Sequence, residues 1–418
     1  MFFQEARLTR RLIAILTVVT ALATPVLARA QSLPPQPTGP VEDPAETAKV
    51  RFGPLFLQPD FGLKNVGLDN NVFNDYQNIQ EDWTGTISLG MLAGLRFGPT
   101  RLTVKTNTDY IYFAHIKEER SIDGVTRYQF EVRTPRLRPW VAFEKTKSHE
   151  RFGFEIDARA GRNSGMYEAG VEYKVGFRLG TRLIGRQRDS SYQEEETFRG
   201  VKLADTLNST VTEGAVQLLY ELSPLSSLRV SGEIARNRFE TATQRDSEDR
   251  SVFVGIEGRQ GAGMEGQIDI GWTQRKADDP TAPNFEGLVA RGSAAIIFWE
   301  QVRVAFGLDR APQWSFEQLY SFYVQSGGST TVTWRPHQRF DIVATGRHYW
   351  LDYDEGLDES AVLRTDKVYS YGGGIGFFIR GYPGTRIGLI AERAARESVL
   401  EDRRYDSMRY YTQVGFSF

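Results

Sequence analysis

The four histidines are the first residues to consider for acid–base or nucleophilic chemistry: His115, His149, His337 and His348. A histidine in a hydrolytic site needs a nucleophile and an acidic partner within hydrogen-bond reach. Asp109 lies on the same predicted strand face as His115, but six residues of extended chain separate them by about 20 Å. The chain has no cysteine and no G-x-S-x-G motif. We therefore predict that the protein is not an enzyme.

A glycine-rich stretch, GAGMEG from Gly261 to Gly266, formally matches the dinucleotide pattern G-x-G-x-x-G. That pattern binds a pyrophosphate only where it joins a strand to a helix. Here it lies between two stretches of alternating polar and apolar residues. We interpret it as a hairpin turn with positive φ at Gly261 and Gly263, and we predict no cofactor.

An acidic stretch, DYDEGLDES at 352–360, resembles a calcium loop in composition. An EF-hand has its glycine at the sixth position and a glutamate at the twelfth, whereas Gly356 is fifth when counted from Asp352. A solvated outer loop is the better interpretation, and no metal site is predicted. Loose divalent-cation binding, which would bridge lipopolysaccharide phosphates, is the alternative.

The remaining chemistry lies in charged residues that recur at every second position of predicted strands. This spacing places them on one face of a sheet, opposite the apolar residues. We predict that they line a polar lumen: Lys105, Asp109, Glu168, Glu172, Lys174, Arg178, Glu265, Asp269, Arg303, Asp309, Asp341 and Arg347. The mixed signs predict no strong ion selectivity, and cross-strand pairing that only hydrates a wide barrel is equally consistent. Trp299 and Tyr349 are candidate inward aromatics.

The amino-terminal segment is typical of an exported protein. A basic start precedes an apolar run that ends in the small-residue pattern A-x-A at 28–30. We predict a cleaved signal peptide at 1–30, and Pro25 disfavours the alternative of a membrane-anchoring helix. Residues 31–49 are rich in proline and polar, which predicts a flexible periplasmic leader.

Composition excludes several classes of protein. Without cysteine there is neither a disulfide framework nor a thiolate metal site. The 51 basic and 53 acidic residues are well mixed, so no basic stripe indicates nucleic-acid binding. No stretch after residue 30 reaches the ~18 apolar residues of a spanning helix.

The elements that must position the charged face are strands. Stretches such as RLTVKTNTDYIYFAHI alternate strictly, and short connections such as GPT at 98–100 alternate with long charged ones such as 188–205. This layout predicts an all-β fold, a transmembrane antiparallel up-and-down β-barrel over residues 50–418, with about 18 strands and 16 as the alternative. The least certain stretch, 138–163, is interpreted as containing an outer loop rather than a strand pair. We predict no long inward loop.

The stretch VRFGPLFLQPDFGLKNVGLDNNVFND, Val50 to Asp75, resembles the opening of the putative beta-barrel porins of the second type. Their first strand follows a Gly-Pro step and ends in a Gly-x-Asp-Asn-x-Phe-like turn. The matching residues here are Gly53, Pro54, Pro59, Gly67, Asp69, Asn71, Val72 and Phe73. Members often accompany genes for exopolysaccharide synthesis and secretion. The resemblance thus implies an outer-membrane pore that exports a polysaccharide, and it carries no catalytic residues.

The chain ends in MRYYTQVGFSF, Met408 to Phe418, in which alternate residues are mostly apolar. We predict that this last strand pairs with the first to close the barrel. Its ending resembles the aromatic signal that the outer-membrane assembly machinery reads. The residues expected to carry that signal are Tyr410, Val414, Phe416 and Phe418.

The sequence therefore predicts a pore in the bacterial outer membrane. The first functional hypothesis is export of an exopolysaccharide with a periplasmic polysaccharide-export partner. The alternatives are a general or solute-specific diffusion porin and, third, an outer-membrane enzyme or structural barrel. The other expected partners are outer-membrane lipid, lipopolysaccharide and the assembly machinery, and no nucleic acid is expected.

Overall fold

The computed structural model describes residues 48, 50–259, 261, 263–353, 361–379 and 385–417. The predicted signal peptide, the leader apart from Ala48, most of the acidic stretch 352–360, and Phe418 lie outside these residues. In the described part of the chain, no helix combines the length and the apolar character needed to cross a membrane.

Antiparallel strands account for nearly all regular structure, as predicted. Eighteen of them form the barrel wall: β1 Leu55–Asp69, β2 Asp82–Phe97, β3 Thr100–Phe113, β4 Ser121–Val132, β5 Leu137–Glu150, β6 Ala160–Lys174, β7 Leu179–Tyr192, β8 Ser209–Ser223, β9 Ser226–Phe239, β10 Ser247–Gly258, β11 Met264–Ala277, β12 Phe285–Phe298, β13 Val302–Trp314, β14 Phe322–His337, β15 Phe340–Tyr353, β16 Arg364–Phe378, β17 Arg386–Glu397 and β18 Tyr405–Ser417. A short strand, Val50–Phe52, pairs only with the start of β1.

Short elements occupy some of the outer loops. The connection between β7 and β8 contains a small hairpin, Thr197–Phe198 with Val201–Lys202, followed by a helix, α1, at Leu203–Leu207. Single 3₁₀ turns lie at Lys117–Glu119, Thr243–Arg245 and Glu401–Arg403. The outer connections therefore carry structure of their own, whereas most of the opposite connections are tight turns.

The sheet closes on itself. Each strand pairs with the next along the chain, and β18 pairs with β1 from Asp69↔Arg409 to Asp60↔Ser417. The predicted pairing of the last strand with the first is confirmed. Closure leaves no sheet edge with unpaired N–H and C=O groups, which hydrocarbon could not solvate.

The outer face of the wall is apolar and the inner face is polar, because successive side chains of a strand point to opposite faces. In β3, Leu102 and Tyr110 are exposed on the outer face, whereas Arg101 and Thr103 are buried inside. Trp272 and Trp334 are also outward and exposed, and because their strands run in opposite directions they lie towards opposite ends of the barrel. An outward apolar band with aromatic residues at its margins is the lipid-facing surface of an outer-membrane barrel.

Glycines let large side chains lie flat against the inner wall. A Cβ on Gly170 would lie 2.2 Å from the Trp140 ring, and one on Gly327 would lie 2.6 Å from the ring of Tyr349. Each ring therefore covers a glycine on a neighbouring strand. This alternation of small and large residues fills the inside of the wall.

The structure corrects the predicted bounds of the two strands around residues 138–163. The strands β5 and β6 are Leu137–Glu150 and Ala160–Lys174, whereas the pattern predicted 138–147 and 164–178. The stretch from Ala160 to Gly165 is small and polar, so it lacks the apolar alternation of a strand. It is nevertheless paired with β5, because the ladder continues from Lys145↔Gly165 to Glu150↔Ala160.

Candidate functional site

The predicted pore-lining residues occupy inward positions, with one exception. Lys105 and Asp109 lie inside on β3, and the others lie inside on β6, β11, β13 and β15: Glu168, Glu172, Lys174, Glu265, Asp269, Arg303, Asp309, Asp341 and Arg347. Their part in transport stays a prediction. Trp299, a candidate inward aromatic, is instead exposed in the turn after β12, whereas Tyr349 is buried inside.

The placement of Arg178 on the luminal face is wrong. Arg178 lies in the turn between β6 and β7 and is exposed. The strand ends at Lys174 because the N–H groups of Val175 and Gly176 both donate to the carbonyl of Leu179, which closes the turn early. The apolar alternation continues through this turn, and the strand predicted from the sequence is therefore longer than the observed one.

Cross-strand ion pairs neutralise one side of the lumen, from β4 to β12. Glu168 is buried and accepts hydrogen bonds from Arg127 (2.9 Å), Arg186 (2.8 Å) and the indole of Trp140 (3.0 Å). Towards the inner end, a chain of pairs continues along the wall: Glu172–Arg182, Arg182–Glu257, Glu257–Arg229, Arg229–Asp269, Asp269–Arg291 and Arg291–Glu233. Charge-assisted pairs of this kind hold the side chains against the wall.

The loop between β5 and β6, residues 151–159, folds into the barrel. Phe154 and Ile156 are 6% and 3% exposed, and Glu155 and Asp157 are equally buried. The prediction of no long inward loop is therefore wrong. In the sequence, Phe152, Phe154 and Ile156 alternate with other residues as they would in a lipid-facing strand, so the pattern alone does not reveal the inward path.

This loop reaches the opposite side of the lumen. The Phe154 ring stacks on Tyr349 of β15 with a centroid distance of 4.1 Å. The Asp157 carboxylate lies 2.9 Å from Arg396 of β17 and 3.7 Å from Arg403 in the following loop. In the closed ring of eighteen strands, β5 and β15 are eight positions apart by the shorter way and ten by the longer. Because the loop that follows β5 contacts β15 and β17, it crosses the bore.

Glu155 anchors the loop through three hydrogen bonds. Its carboxyl group accepts from the Ser315 hydroxyl (2.6 Å), the Phe316 N–H (2.9 Å) and the Tyr353 hydroxyl (3.0 Å). Burial raises the pKa of this carboxyl group above its ordinary value, against the opposing effects of Arg403 and of the hydrogen bonds. Docking therefore disfavours the charged form of Glu155 relative to an exposed carboxyl group.

Two further loops complete an assembly that we call the plug, residues 151–159, 193–208 and 315–321. Its apolar residues Ile156, Phe198, Leu203 and Phe316 form one buried cluster with Ala160 of β6 and Tyr192 of β7. Arg245, from the loop after β9, donates to the carbonyls of Thr206 (2.8 Å), Glu317 (3.0 Å) and Tyr320 (3.1 Å). Arg199 contacts Asp402 on the far side. The outer half of the lumen is therefore filled by interlocked loops.

Comparisons with known proteins agree with this architecture. The model of a family described as "Putative beta-barrel porin 2" matches residues 43–311. No curated protein matches the chain. Among solved structures, the chain is similar to a BenF-like porin from Pseudomonas fluorescens Pf-5, with 11% identity, a TM-score of 0.50, and coverage of 87% of this chain and 99% of that one.

Two other solved structures resemble the chain at the level of the fold. The outer membrane protein opdK from Pseudomonas aeruginosa has 8% identity and a TM-score of 0.49. OccAB3 from Acinetobacter baumannii has 11% identity and a TM-score of 0.48. Each comparison covers 87% of this chain and 99% of the other chain.

Proposed function

Since the chain belongs to the Putative beta-barrel porin 2 family and is an outer-membrane β-barrel porin, we propose that it is a selective channel for small polar solutes, gated by the plug. The observation that carries the proposal is the crossing of the lumen by residues 151–159, which are bound to both sides of the wall. A solute passes only when this loop moves. The polar, ion-paired lumen suits a hydrated solute.

The buried contacts between the plug and the wall disfavour two functions, a general diffusion pore and the passage of a polymer. Asp157, Arg396 and Arg403 form buried contacts, and such contacts resist a permanent opening of the bore. A polysaccharide requires the bore to stay clear throughout threading, whereas a small solute requires only a brief opening. Exopolysaccharide export with a periplasmic partner stays a prediction, and a partner that displaces the plug would be needed for it.

The proposal is tested by recordings from the folded wild-type barrel in planar lipid bilayers. We expect small, interrupted currents, because the loop at 151–159 blocks the bore except during brief excursions. Large and steady currents would contradict gating by the plug. Liposome swelling that is rapid with a monosaccharide and undetectable with a dextran would separate small-solute passage from a conduit for polymers.

A pH dependence should follow from Glu155. Because its pKa is raised in the docked loop, protonation stabilises docking; this contribution is complete below the ordinary value of 4.5 and is lost as the pH rises through the raised pKa. Currents through the wild type should therefore increase from pH 4.5 upwards. Glu155→Gln, which does not titrate, should flatten the increase, and the same slope in both proteins would contradict this role for Glu155.

A further inference from the structure

We propose that Arg162 and Arg188 form a binding site for the oxyanion group, carboxylate or phosphate, of a small anionic solute. The two residues lie on the luminal face of β6 and β7, where Arg162 is paired with Tyr192 and Arg188 with Met166 in the ladder. The proposal rests on the proposed function, because only a solute that enters the lumen reaches this wall. It adds the class of solute and the residues that recognise it.

Neither guanidinium group is neutralised by the wall. Arg162 donates to the Ser190 hydroxyl at 2.7 Å, and Arg188 makes only a weak contact with the sulfur of Met166 at 3.9 Å. Among the described residues, no carboxylate oxygen lies within 4.0 Å of either one. Donors are therefore available to an anion.

The nearest carboxylates are already held by other arginines. Glu168 is bound by Arg127 and Arg186, Glu213 accepts from Arg186 at 3.2 and 3.3 Å, and Glu144 lies 3.8 Å from Arg127. These three carboxylates are thus held by arginines other than Arg162 and Arg188. The two guanidinium groups of the site have no carboxylate in contact among the described residues, and their positive charge attracts an anion.

An aromatic pair fixes one of the two guanidinium groups. The Arg162 guanidinium carbon lies 4.6 Å from the ring centroid of Phe152 and 5.8 Å from that of Tyr192, and the two rings meet edge to face. Stacking holds the guanidinium plane. Because Nη2 is bound to the Ser190 hydroxyl and Nε is buried, Nη1 is the Arg162 nitrogen left to donate to an oxyanion. Because Phe152 belongs to the plug, the site lies where an entering solute meets the plug.

The test uses the variant Asp157→Asn, in which the plug is loosened, and measures reversal potentials across a KCl gradient. We expect anions to be favoured. Arg188→Gln in this background should lower the anion-to-cation permeability ratio about sevenfold, because one charge about 7 Å from the path in water shifts the energies of an anion and of a cation by about RT each, in opposite directions. Arg188→Lys should keep the ratio, since it keeps the charge. Arg236→Gln removes an exposed arginine from the outward face and should change nothing.

Inorganic phosphate tests recognition of the oxyanion itself. Phosphate should block the chloride current, and the half-blocking concentration should rise roughly tenfold in both Arg188→Gln and Arg188→Lys, because both lose the bidentate guanidinium. Binding of phosphate to the detergent-folded barrel, followed by ³¹P line broadening, gives a readout that is independent of current. Equal binding by the wild type and by Arg162→Gln/Arg188→Gln overturns the site. If no variant conducts but the wild type still binds more phosphate than Arg162→Gln/Arg188→Gln, the proposed channel function is overturned and the oxyanion site is not.

Discussion

Replacing Asp157 with asparagine should raise the single-channel conductance of the reconstituted barrel severalfold. Asp157 is the one residue of loop 151–159 whose carboxylate meets both Arg396 and Arg403 across the bore. All three side chains are buried. Removing one partner of a buried ion pair costs about 3–5 kcal/mol when the remaining charge has no other partner. Arg396 keeps Asp366 at 2.5 Å, so the cost here falls mainly on Arg403. That cost falls on the docked state alone and favours the withdrawn loop.

The measurement is a comparison of currents from wild type and Asp157→Asn in planar bilayers at one pH and salt concentration. Asp279→Asn is a matched control, because Asp279 lies in an exposed outer loop and its carboxylate, within the described part of the chain, bonds only to Thr281. It should conduct as the wild type does. Heat-modifiable migration on gels verifies that each barrel is folded. Unchanged conductance in a folded Asp157→Asn barrel would mean that the loop does not gate the pore.

The wall of the barrel was predictable because its signal is local. Side chains that alternate every two residues define a strand and its two faces without knowledge of any other strand. β3 carries Leu102 and Tyr110 outside and Lys105 and Asp109 inside, as its sequence requires. The alternation within one strand does not predict which ion pairs form between strands. Glu168 contacts both Arg127 and Arg186, and these contacts depend on the register between strands.

The plug was not predictable because its contacts join distant parts of the chain. The bond between Glu155 and Ser315 spans 160 residues, and the one between Phe154 and Arg396 spans 242. Nothing near Glu155 in the sequence indicates these partners. The apolar residues of the loop also alternate as they would in a strand, although they face the inner wall and other loops and not lipid.

The motif behind the family resemblance has a physical explanation in the closing seam. The Asp69 carboxylate lies 2.8 Å from Arg409 of β18 and accepts from the Asn71 N–H at 3.0 Å. The fully buried Asn71 amide donates to the carbonyl of Asp406 at 3.1 Å. The residues after β1 thus bind the start of β18. The sequence placed this motif at a strand end, but its role in closure needed the three-dimensional structure.

Gly67→Ala should abolish most of the folded barrel. Gly67 lies in this seam, where a Cβ would approach the Tyr410 carbonyl oxygen to 1.8 Å and the Tyr411 Cα to 2.6 Å. Both atoms belong to the backbone of β18, so no rotamer change relieves the clash, and relief requires the seam between β1 and β18 to separate. An unclosed sheet exposes two edges in hydrocarbon, and unpaired backbone groups there cost several kcal/mol each, which the assembled state cannot tolerate.

The expected result is loss of the heat-modifiable band from outer membranes of cells that produce Gly67→Ala. Gly85→Ala on the adjacent strand β2 is the matched control, because its new methyl group would meet only a Val66 methyl at 3.8 Å. That variant should assemble in normal amounts. Equal yields of folded Gly67→Ala and Gly85→Ala would refute the view that the seam is closed by direct backbone packing at Gly67. A deficit confined to Gly67→Ala would place an assembly requirement at the first strand.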